Sequence, residues 1–127
     1  MPKKYIIRGL CFGYALLVAV GSLIDTKKAP RFDFVFEDKI IHFLAYLMLC
    51  VFFFLGLKTF RIRRGVKNAV AITLIFGTVL ELLQKVVTDH RTFDLFDLLA
   101  NGLGVLTAAL LIRKNKTILV KKLETFM

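Results

Sequence analysis

Several side chains able to move protons or hold charge recur at spacings that a helix would gather on one face. Lys39, His42 and Tyr46 stand at i, i+3, i+7, and Asp38 lies four residues before His42, within reach of its imidazole. Glu81 and Gln84 are three apart, and Asp94, Asp97 and Asn101 repeat the i, i+3, i+7 pattern just after Arg91. A histidine beside a carboxylate resembles an oriented general base, and a carboxylic acid in apolar surroundings suits proton donation. An acid pair such as Asp94 and Asp97 suits Mg²⁺ bridging a diphosphate. His42, Glu81, Asp94 and Asp97 are therefore the candidate catalytic groups. Asp38, Lys39, His42, Tyr46, Glu81, Gln84, Arg91, Asp94, Asp97 and Asn101 together form the candidate ligand-binding set, in which Arg91 would clamp a phosphate or carboxylate.

The same residues limit the chemistry. No serine or cysteine nucleophile sits among them, and acid pairs at i, i+3 are common. Zinc through His42, Glu81 and Asp97 would rest on a lone histidine, so no metal site and no cofactor are expected. Asn101, Gln84 and Tyr46 also fit a purely structural role, since polar side chains hydrogen-bond between membrane helices.

The elements that must position these groups are apolar. Residues 6–24, 40–57, 69–87 and 95–112 form stretches of 18 to 19 residues. At about 1.5 Å of rise per residue, each spans close to the ~30 Å of bilayer hydrocarbon. The 127-residue chain is 57% hydrophobic, with 13 Phe and a mean hydropathy of +0.71. A soluble fold of this size leaves much of its surface wet and could not bury so much apolar area. The expected architecture is all-α: a polytopic four-helix transmembrane bundle forming a single domain over 1–127. The first span is expected to stay as an uncleaved helix, because its apolar run outlasts a signal-peptide core.

A net charge of +10 invites a nucleic-acid reading, and its distribution argues against one. With both termini on one side, Lys3, Lys4 and Arg8, the 58–67 loop and the 113–122 segment gather most of the lysines and arginines, with Glu124 the sole acid there. The remaining acids lie at the other set of helix ends. Basic short segments stay in the cytoplasm, giving an N-in/C-in topology with the acidic ends outside. No nucleic-acid partner is expected, and the basic side should attract anionic inner-leaflet lipid.

Other features are read more simply. Arg8 should snorkel to the inner headgroups. Gly9 and Gly13 suggest a small-residue packing face on the first helix, and Gly102 and Gly104 another on the fourth. Phe32, Phe34 and Phe36 suggest an interfacial aromatic anchor. The tail beyond 112 alternates apolar and basic residues and is expected to form a short interfacial helix. Cys11 and Cys50, inside apolar runs, should act as small hydrophobes.

Glu81 and Asn101 would each lie roughly two turns below the outer end of their helices. A carboxylate at that depth is costly unless it is paired or faces water. The second, third and fourth helices are therefore expected to close around a small hydrophilic cavity open to the outside. The halves of the spans beneath it carry few ionisable groups, which disfavours a transport path.

Three segments carry a family resemblance. Residues 38–46 (DKIIHFLAY), 81–84 (ELLQ) and 91–104 (RTFDLFDLLANGLG), in this order and spacing, resemble the VanZ-like family of small membrane proteins. The resemblance covers about two-thirds of the chain. It implies a bacterial cell-envelope protein of the cytoplasmic membrane, with a link to the glycopeptide teicoplanin, and supplies no reaction. Two readings follow. In one, the outward cavity binds an amphipathic ligand, such as a lipid-linked wall precursor or a lipoglycopeptide, beside membrane lipid. In the alternative, a membrane-embedded enzyme acts on a lipid-linked phosphate substrate by acid/base or Mg-assisted chemistry.

Overall fold

The computed structural model describes residues 3–23, 37–87 and 95–127, except for the side chains of residues 37, 38 and 87. The aromatic run at Phe32–Phe36 lies outside the described residues. Among those described there is no strand, and helices follow in the order α1 (Lys4–Leu23), α2 (Glu37–Thr59), α3 (Gly65–Val87) and α4 (Leu95–Phe126). All four are long and apolar enough to cross a membrane. The protein is a four-helix transmembrane protein of the all-α class.

Side-chain contacts fix how the helices run. Arg8 near the start of α1 meets Thr59 at the end of α2, and Lys39 near the start of α2 meets Asp97 near the start of α4. Neighbours in sequence are thus antiparallel, and α2 and α4 run parallel. One end of the bundle gathers the start of α1 and the α2–α3 turn; this is the basic end. The other, acidic end carries Lys39, Glu81 and Asp97.

The central packing is tight and apolar. Leu49, Cys50 and Phe54 of α2, Ala69 and Thr73 of α3, and Val105, Ala108 and Ile112 of α4 are each at most 1% exposed. Between lipid-solvated helices there is no large hydrophobic drive, so close packing must hold them together. Gly104 makes this possible for α2 and α4: a Cβ there would run into the carbonyl oxygen of Phe43 and lie 3.1 Å from the Leu47 nitrogen. Thr73 satisfies its own hydroxyl on the Ala69 carbonyl at 2.6 Å. Large apolar side chains such as Phe12 and Val86 point outward at 72% and 78% exposure, as a lipid-facing exterior requires.

α1 docks by hydrogen bonds rather than by its glycines. Nothing lies within 4 Å of where a Cβ would stand at Gly9, Gly13 or Gly102, so the expected small-residue faces there are not used inside the bundle. Instead Cys11 donates to the Phe52 carbonyl at 2.8 Å, and the Tyr14 hydroxyl donates to the Ala45 carbonyl at 2.9 Å. Arg8 also reaches the end of α2. Its Nε donates to Thr59 Oγ1 at 2.9 Å and its Nη2 to the Thr59 carbonyl at 3.1 Å, while the guanidinium stacks 3.6 Å from the Phe60 ring centre. The carbonyls left without intrahelical partners at the end of α2, with the Thr59 hydroxyl, supply acceptors for it.

The turn between α2 and α3 closes in a Schellman motif. Ile62 N–H bonds the Leu57 carbonyl and Arg61 N–H the Lys58 carbonyl, with Arg61 in the left-handed region at φ 58°. Near the expected end of the fourth span at 112, α4 is broken at Asn115 (φ −112°, ψ 16°), where two helical segments join, and the second, running to Phe126, is the expected C-terminal helix. Part of its apolar side packs on the bundle, where Leu123 meets Ile7, Cys11, Phe52 and Leu55, while Ile118 stays exposed.

Candidate functional site

The polar residues of the acidic end come from three helices and stack in two layers. α2 and α4 run away from this end while α3 runs toward it, so positions four apart pair up by depth. His42, Glu81 and Asp97 form the outer layer. Tyr46, Gly77 and Asn101, each one turn along from those residues, form the layer beneath.

In the outer layer Lys39 Nζ donates to Asp97 Oδ1 at 2.7 Å. His42 Nε2 stands 3.8 Å from Glu81 Oε1 and 3.9 Å from Asp97 Oδ2. One ligand atom from each of His42, Glu81 and Asp97 falls within a set no wider than 4.8 Å. These separations exceed hydrogen-bond length, so the imidazole faces both carboxylates without being bound to either through that nitrogen. Glu81 is 3% exposed, deep for a carboxylate in an apolar bundle.

The lower layer is buried and polar. The Tyr46 ring fills the space left by Gly77: a Cβ there would come within 2.8 Å of Tyr46 Cε1 and 3.4 Å of Asn101 Nδ2. The Tyr46 hydroxyl is hydrogen-bonded to the side chain of Ser22. Asn101 is 3% exposed, and neither atom of its carboxamide has a hydrogen-bond partner among the described residues.

Lys39, His42, Glu81 and Asp97 thus come together in one layer, with Tyr46 and Asn101 directly beneath. Gln84 is buried too, but its amide is turned to α1, donating to the Ser22 carbonyl at 2.6 Å. Arg91, Asp94 and the Asp38 side chain lie outside the described residues, and with them the Asp38–His42 pair and the Asp94–Asp97 magnesium pair. Sequence reasoning missed Ser22 and Gly77. A hydroxyl near the acidic end of an apolar helix, and a glycine one turn from Glu81, were the available signals.

The model of the VanZ/LLP1 family matches residues 7–120, a span that takes in most of all four helices and both polar layers. The chain belongs to the VanZ/LLP1 family. Membership in VanZ/LLP1 covers the first helix as well as the three segments that first suggested it. An uncharacterized protein of the fission yeast Schizosaccharomyces pombe is 36% identical over 84 residues, covering 65% of this chain and 51% of the yeast protein. The chain therefore spans about half the length of the curated relative it matches. No solved structure matches this VanZ/LLP1 chain.

Proposed function

We infer that the chain acts at the outer face of a bacterial cytoplasmic membrane, where it holds the polar headgroup of an amphipathic ligand over Lys39, His42, Glu81 and Asp97. The ligand is of the lipid-linked wall-precursor or lipoglycopeptide type, and its apolar part lies along the bundle among lipid tails. Teicoplanin susceptibility is the cellular property this would alter. One observation carries the reading: three helices bring a lysine, a histidine and two carboxylates to one largely enclosed layer, above a buried amide with no partner among the described residues. Packing alone rarely places so many ionisable groups within membrane depth. The basic charge at the opposite end supports an outward orientation.

The test is teicoplanin susceptibility and binding of a labelled lipid-linked precursor, measured for the unaltered chain and for Asp97→Asn and Arg91→Ala. Loss of both in the variants at normal membrane abundance is the expected result. Unchanged behaviour in both variants would defeat the reading.

The position of His42 between two carboxylates favours a second reading, in which the same layer performs acid/base chemistry on a lipid-linked phosphate. Purified protein that converts such a lipid to product would establish it over simple binding.

A further inference from the structure

Three side chains from three helices turn one atom each toward a common point. His42 Nε2 is 3.8 Å from Glu81 Oε1 and 3.9 Å from Asp97 Oδ2, and the three ligand atoms all lie within 4.8 Å of one another. A divalent first-row ion with nitrogen and oxygen ligands at roughly 2.0–2.2 Å holds such atoms roughly 3–3.5 Å apart. Small side-chain rotations would close the set to that spacing. Asp97 is already oriented for it. Lys39 holds Oδ1 at 2.7 Å and leaves Oδ2 facing the imidazole, the outer-shell support that ligating carboxylates usually have.

One further observation points to a missing group. Asn101, one turn below Asp97 and 3% exposed, turns its carboxamide toward α3 beneath Glu81, and both polar atoms lack a partner among the described residues. So buried an amide is costly unless something donates to it and accepts from it.

We propose that His42, Glu81 and Asp97 form an open three-ligand site for a divalent transition-metal ion of the zinc class. Lys39 steadies Asp97, and the remaining coordination positions take solvent or a phosphate oxygen. The mixed imidazole and carboxylate set suits zinc over magnesium. The sequence expectation of no metal rested on the single histidine; what the structure adds is that His42, Glu81 and Asp97 bring one ligand atom each to within 4.8 Å of one another. The site goes beyond the ligand-binding reading and stands without it, because an ion can tie three helices together in a protein that binds no headgroup.

The test uses the full chain purified in detergent with a histidine-free tag, stripped by chelator and titrated with Zn²⁺ and, in parallel, Mg²⁺. The expected result is one equivalent of Zn²⁺ retained through desalting, with Mg²⁺ held more weakly. His42→Gln and Asp97→Asn should each weaken zinc binding by at least about tenfold. A chain with both Cys11→Ser and Cys50→Ser should bind zinc as before, since its thiols lie away from the layer. No saturable zinc binding by the folded unaltered chain would overturn the site, whatever the variants do. So would binding undiminished in both the His42 and the Asp97 variants. Zinc bound with no labelled lipid bound keeps the metal site and removes the headgroup reading; the reverse result removes the metal site alone.

Discussion

Lys39 and Asp97, 58 positions apart in sequence, close a 2.7 Å ion pair between the parallel helices α2 and α4. The carboxylate is the more enclosed partner, at 13% side-chain exposure against 31% for the lysine. Breaking such a pair from one side leaves a partly buried charge, whereas replacing both partners with apolar groups need not.

Lys39→Met alone should therefore destabilise the bundle by about 1–3 kcal/mol, reduced from the fully buried case by the lysine's exposure. Lys39→Met combined with Asp97→Leu should recover most of that loss. Thermal unfolding in detergent, arranged as a double-mutant cycle, measures the coupling; additive effects would mean the pair contributes nothing.

Gly104→Ala should be severe, because its new methyl would meet the backbone of Phe43 and Leu47, which cannot give way as a flexible side chain can. A loss of about 2–3 kcal/mol is expected. Gly102→Ala, with nothing within 4 Å, should be nearly neutral. Melting temperatures of the two variants side by side check this contrast.

Asn101→Leu should separate structure from function. In protein stripped of metal and lipid, replacing the unpartnered amide by an apolar side chain of similar size should add about 1–2 kcal/mol of stability. The same variant should bind zinc or headgroup less well. A variant that is less stable when stripped would show that Asn101 serves as ordinary interhelical glue.

Arg61→Gly should stabilise the turn between α2 and α3 by about 1 kcal/mol, since glycine occupies the left-handed region without the Cβ penalty. Unchanged or lowered melting temperature would mean that the arginine side chain compensates for its backbone.

Much of this arrangement was legible before any coordinates. Runs of apolar residues revealed the four spans, and the i, i+3, i+7 patterns of Lys39, His42 and Tyr46 and of Asp97 and Asn101 revealed their polar faces. That His42, Glu81 and Asp97 share a depth followed from alternating helix direction and about 1.5 Å per residue. What could not be read were interactions whose partner is backbone. The carbonyls of Thr59, Phe52, Ala45 and Ser22 receive Arg8, Cys11, Tyr14 and Gln84, and no residue type announces them. Glycine spacing misled for a related reason. Gly9 and Gly13 have the small-xxx-small form but face away from the bundle, while Gly77 makes room for an aromatic ring and Gly104 for a neighbouring backbone. The fall in hydropathy after 112 marks the kink at Asn115, and the helical segment beyond it is legible too; what is not legible is its seat, where Leu123 packs among Ile7, Cys11, Phe52 and Leu55.

The break at Asn115 brings the last turn of α4 back beneath the first turn of α1, where the Lys3 ammonium sits 5.1 Å from the centre of the Phe126 ring. Any sequence joined before Lys3 or after Phe126 therefore emerges from one corner of the molecule. Complementary halves of a split fluorescent reporter, fused one to each terminus, would meet and light up within a single copy.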